Sequence, residues 1–118
     1  MITERKIDNF LKEIGTPCDL KGYEYIIDAI KLLFEDYSKY SYVTKNLYPQ
    51  VARDFNTTAS RVERAIRHAI ERTWETGNIT FINECFGSVN YFKGKPTNTQ
   101  FVCRLYRELK YREDGEIK

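Results

Sequence analysis

The chain has 118 residues, a net charge of +2, and 42% hydrophobic against 31% charged residues, the length and composition of one soluble globular domain with a core of its own. No apolar run approaches the ~20 residues that a membrane helix needs, and the N-terminus lacks the apolar stretch of a signal peptide, so a cytoplasmic protein with no membrane partner is expected. Cys18, Cys85 and Cys103 are far apart with no C-x-x-C, and His68 is the only histidine, which points to three reduced thiols and to no metal site, cofactor or disulfide framework.

In chain order, residues 4 to 14 place Ile7, Phe10, Leu11 and Ile14 at helical spacing, with Thr3 as a cap and Gly15 as the stop. Thr16-Pro17 breaks the chain, because the residue before a proline is pushed out of the helical region. From Gly22 to about Tyr37, the residues Tyr23, Ile26, Ile27, Ile30, Leu33, Phe34 and Tyr37 form a wide apolar stripe, which predicts a helix central to the core. Pro49 then either opens a helix at its first turn or kinks one that starts near Thr44, with Lys45 able to face phosphate.

Residues 48 to 76, YPQVARDFNTTASRVERAIRHAIERTWET, read as a helix-turn-helix. Val51, Ala52 and Phe55 give the first helix an apolar edge. Asn56 tolerates the left-handed conformation of a helix end, and Thr57, Thr58 or Ser60 can cap the second helix. On a wheel of that helix Val62, Ala65, Ile66, Ala69, Ile70 and Thr73 fall on one side. Ser60, Arg64, Arg67, His68 and Glu71 fall on the other, flanked by Arg61 and Glu63.

If this helix enters the major groove of double-stranded DNA N-terminus first, Arg61, Glu63 and Arg64 reach base edges, and Thr58, Ser60, Arg67 and His68 lie by the backbone or support the readers. Arg can donate two parallel hydrogen bonds to guanine O6 and N7, and Glu can accept from cytosine N4. The alternative is a solvated face with a Glu63–Arg67 pair worth only ~0.2–0.5 kcal/mol. A helical protein-interaction module that never reads bases has the same pattern.

Gly77 is expected as a left-handed stop near Trp74, with Asn78 capping a short helix over Ile79, Phe81, Ile82, Cys85 and Phe86 that Gly87 closes. Residues 88 to 95 form a loop or short hairpin whose Lys93 and Lys95 make a basic patch suited to phosphate. Pro96, Thr97 and Asn98 announce a last helix with Phe101, Val102, Leu105 and Leu109 buried, and the tail from about 111 to 118 is expected to fray. The whole is one all-α domain over residues 1–118, a compact bundle of about six helices containing a helix-turn-helix at about 48–76. No phosphate-binding glycine loop, nucleophile elbow or H-E-x-x-H is present, so no catalytic residues are expected.

The runs IGTP (14–17), KGYEY (21–25), LYP (47–49), SRVERAIRHAIE (60–71), GNI (77–79) and KPTN (95–98), in this order and spacing, resemble the DNA-binding effector domains of the stage-zero sporulation protein A family. The resemblance implies a six-helix bundle of a response regulator that governs entry into sporulation. It implies binding to TGTCGAA-like sites, commonly by two copies head to tail on tandem sites, with both activation and repression of promoters. By position, Arg61, Glu63 and Arg64 are the implied base readers, with Ser60, Arg67 and His68 beside them. The stretch from Trp74 to Phe86 is the implied surface for the sigma subunit of RNA polymerase. Family proteins carry an N-terminal receiver domain, which these residues lack, so an excised effector domain beginning at Met1 is expected.

Overall fold

The structure, a computed structural model, describes residues 2–87 and 94–117, with side chains to residue 115. Its elements are α1 (Glu4–Ile14), α2 (Lys21–Glu35), α3 (Tyr37–Tyr40), a π-helical turn (Val43–Leu47), α4 (Tyr48–Asp54), α5 (Ala59–Thr76), α6 (Ile79–Phe86) and α7 (Asn98–Ile117). The domain is all-α, and no strand occurs among the described residues. Nor is any described helix long and apolar enough to cross a membrane. The extra helix arises because Asp36 both ends α2 and caps α3, its carboxylate accepting from the Lys39 N–H at 3.2 Å.

Helix α2 is the hub, packed against α1, α4, α5 and α7. It buries Tyr25, Ala29 and Leu32 besides Tyr23, Ile26, Ile30 and Leu33, so its buried face is one wide stripe of about half the circumference. Each fully buried Ile or Leu of this kind stabilises the fold by roughly 1.5–3 kcal/mol. Gly22 lies in the first turn of α2 where it crosses α5. A Cβ there would stand 2.2 Å from the Ala65 carbonyl oxygen and 2.9 Å from the Ala69 Cβ. The two backbones touch at this point because neither side carries bulk.

A second contact fixes the far end of α5. Gly15 takes the left-handed conformation (φ 93°), and its N–H returns to the Leu11 carbonyl, as expected of a helix stop. Gly77 differs from its expectation: it is extended (φ −81°, ψ −176°), and its requirement is space. A Cβ on Gly77 would lie 2.4 Å from the Thr73 carbonyl oxygen and 2.7 Å from that of Ile14. The Ile14 carbonyl, left over at the end of α1, accepts from the Asn78 N–H at 2.8 Å. Beside it the buried Thr73 hydroxyl bonds Thr16 Oγ1 at 2.9 Å and the Ala69 carbonyl at 2.7 Å.

Helix α7 continues past Lys110 to Ile117. Arg112 pairs with Glu13 at 3.3 Å and stacks over the Phe10 ring at 4.6 Å, and Lys6 pairs with Glu113 at 2.6 Å. Charge and cation–π contacts thus hold a segment that has no apolar periodicity. Phe55 is 39% exposed and not on a buried edge, lying edge-on to Tyr25 at 5.0 Å. Lys93 and the other residues from 88 to 93, including the hairpin alternative, lie outside the described residues.

Between α2 and α4, burial and the neighbouring Asp54 carboxylate push the Asp28 carboxyl from the ordinary value of 3.8 up to about 7. Asp28 Oδ2 is buried and has no partner among the described residues, while Asp54 accepts from the Gln50 amide at 2.8 Å. A raised carboxyl value means that the folded state keeps a proton which the unfolded chain has already lost. This group's contribution is therefore full below pH 3.8 and disappears as pH rises through about 7. Asp28→Asn is expected to remove this component, so that variant and wild type converge in acid and the variant melts higher at pH 8, as paired thermal melts will show. For Gly22→Ala, helix propensity alone predicts a gain of roughly 0.5–1 kcal/mol. The 2.2 Å approach to Ala65 predicts instead a loss of about 1–3 kcal/mol, read as a lower urea midpoint.

Candidate nucleic-acid interface

The turn before α5 is built by local chemistry. Asn56 is in the left-handed region (φ 53°), and the Thr57 N–H returns to the Ala52 carbonyl at 2.9 Å. Thr58, not Ser60, is the cap: its hydroxyl accepts from the Arg61 N–H at 3.3 Å, and Ser60 Oγ sits 3.5 Å from it. Ahead of the turn, Pro49 falls at the start of α4, directly after the π-helical turn. The helical path therefore begins at Val43 and changes winding before Pro49.

The buried side of α5 is the one the wheel assigns, with Val62, Ile66, Ala69, Ile70 and Thr73 fully enclosed. The outer side carries Ser60, Arg61, Glu63, Arg64 and His68, all exposed. Among the described residues, neither the Arg61 nor the Arg64 guanidinium makes a hydrogen bond or ion pair, and neither does the Glu63 carboxylate. The Glu63–Arg67 pairing does not form. Arg67 turns the other way, its Nε 3.6 Å from Glu71 and its Nη1 donating to the Pro96 carbonyl at 3.0 Å. Arg67 is accordingly half-buried and tied to the start of α7, unlike the two free arginines.

Lys95 is exposed on the segment leading into α7. Thr97 and Gln100 cap α7 reciprocally, Thr97 Oγ1 accepting from the Gln100 N–H at 3.1 Å and Gln100 Oε1 from the Thr97 N–H at 2.9 Å. Asn98 reaches back to α5, its amide donating to the Glu63 carbonyl at 3.0 Å. Thr44, Tyr48, Thr97, Asn98 and Thr99 join Glu63, Arg64, Arg67, His68 and Glu71 around an open concavity of about 490 Å³. Burial pushes the Tyr48 hydroxyl pKa up, with the Asn98 amide acting against it, so Tyr48 remains a neutral phenol in the floor. Of these, Thr44, Tyr48, Asn98 and Thr99 escape a sequence reading, because no local periodicity marks residues that meet only through tertiary packing. Lys45 is exposed on the π-helical turn.

Chemically this surface is rich in hydrogen-bond donors. Two unpaired guanidiniums project from the first two turns of a helix, with hydroxyls, an imidazole and a lysine around them, and one free carboxylate lies between them. Such a set can donate to base edges and phosphates and can accept from an exocyclic amine.

A comparison with family models identifies the match. The model described as "Sporulation initiation factor Spo0A C terminal" covers residues 7–109, nearly the whole chain and every element from α1 to most of α7. The chain therefore belongs to the Spo0A C-terminal family, the DNA-binding effector domains of the response regulators that initiate sporulation.

Proposed function

We propose that α5 enters the major groove N-terminus first and reads TGTCGAA-like sites, with Arg61, Glu63 and Arg64 on base edges and Thr58, Ser60, His68 and Lys95 near the backbone. The observation that carries this is the free state of the Arg61 and Arg64 guanidiniums and the Glu63 carboxylate on the exposed face of a capped helix. A carboxylate facing DNA is repelled by phosphate, so Glu63 is best used on a cytosine amino group or in orienting an arginine. Arg67 serves mainly as support in this reading, since its guanidinium already bonds Pro96.

Two copies bind tandem sites head to tail, and the stretch from Trp74 to Phe86 meets the sigma subunit of RNA polymerase. The 54% exposure of Ile79 supports a protein-facing role for that stretch, since an aliphatic side chain gains little in water.

A gel shift with tandem TGTCGAA duplex and a scrambled control tests the reading. Arg64→Ala is expected to weaken the specific complex by ~1–3 kcal/mol and to relax preference at one base, whereas Lys95→Ala weakens both duplexes alike. Unchanged affinity of Arg64→Ala for the specific duplex would refute the assignment of readers, and no shift on any duplex would favour a module that binds protein instead.

A further inference from the structure

We propose that Asn98 is a positioning residue that holds Lys95 at a fixed distance from the base-reading turn of α5, so that phosphate contact and base reading act as one unit. The inference rests on the reading of α5 as the DNA-reading helix.

Asn98 is a polar residue only 9% exposed at the start of a helix, where such a side chain is ordinarily solvated. Its amide donates across a chain separation of 35 residues to the carbonyl of Glu63, one of the three proposed readers. The tie is doubled in the opposite sense, because the Arg67 side chain donates to the backbone of Pro96. A side chain from each element therefore grips the backbone of the other, and no slide of α7 along α5 preserves both bonds. The reciprocal Thr97–Gln100 cap then makes residues 97 to 100 rigid.

Lys95 directly precedes this locked segment. As the residue before a proline it is restricted to extended conformations, and Gly94 before it turns the chain at φ 78°. Once Pro96 and Asn98 are bound to α5, the Lys95 backbone has little freedom left. Its ammonium group can then meet one phosphate without a large loss of conformational entropy. Without the Asn98 bond the same charge is spread over many positions and contributes only a diffuse attraction.

The test is the salt dependence of affinity for the tandem TGTCGAA duplex. Each phosphate contact adds about 0.9 to the slope of log K against log salt. Asn98→Ala changes no charge, yet it is expected to lower the slope by about 0.9, the loss of one lysine–phosphate contact. Lys95→Ala is expected to do the same, and the double variant no more than either alone. Asn98→Ser, which keeps a side chain favoured at a helix start but is too short to reach Glu63, must behave like Asn98→Ala and serves if the alanine variant does not fold. A merely structural Asn98 lowers the melting temperature and leaves the slope at the wild-type value. That result, or independent losses in the double variant, or an unchanged slope for Lys95→Ala, overturns the proposal. Arg64→Ala run alongside separates the failures: if it binds as wild type, the reading of α5 is wrong, and if it is weakened while the slopes are unmoved, only the Asn98 inference falls.

Discussion

The close crossing of α2 over α5 is the constraint on which the rest of the domain depends. At Gly22 the two helices meet backbone to backbone against Ala65 and Ala69. At the other end of α5, Gly77 lies against the Ile14 carbonyl, with Thr73 hydrogen-bonded to Thr16 beside it. Helix α5 is thus held at two points by atoms that cannot yield, since small residues leave no flexible side chain to adjust. A helix held in this way can present long side chains to a ligand without moving on its base, which is what a rigid scaffold contributes to recognition.

The same packing decides which side of α5 is free. Its apolar residues are all taken by the core, so the polar residues face outward together. What separates the arginines is their surroundings and not their spacing. Arg61 and Arg64 have solvent around them, whereas Arg67 has Glu71 on its own helix and the Pro96 carbonyl in reach. The overall charge of +2 conceals this local arrangement, because acidic residues elsewhere balance it. In the proposed reading, electrostatic attraction to DNA comes from placement of a few cations on one face and not from an excess over the whole chain.

Much of this was legible in the residues. The helix-turn-helix, the inward side of α5, the Thr3 and Asn78 caps and the left-handed Asn56 follow from local rules that operate within a few residues. What escaped depends on contacts between distant segments. Gly77 looks like a helix stop in sequence, yet its backbone is extended and it is small for the sake of α1. The last turns of α7 lack an apolar stripe and are held by Arg112 and Glu113 against α1, which no pattern within the tail announces. Phe55 has the spacing of a core residue, but α4 ends beneath it and leaves it half in solvent against Tyr25. At the proposed interface the exposed positions of Arg61, Glu63 and Arg64 follow from spacing. The diversion of Arg67 and the burial of Asn98 come from tertiary geometry alone.

The central claim is that one face, formed by the first turns of α5 and the entry to α7, meets DNA while the rest of the bundle stays free of it. The most direct measurement is a titration of the isotopically labelled domain with TGTCGAA duplex, following backbone amide shifts by nuclear magnetic resonance. The account predicts the largest changes from Ser60 to His68 and from Lys95 to Thr99, with α1 and the outer side of α2 unmoved. Changes concentrated on α1 and α6, with the amides of Arg61 to Arg64 unaffected, would contradict it.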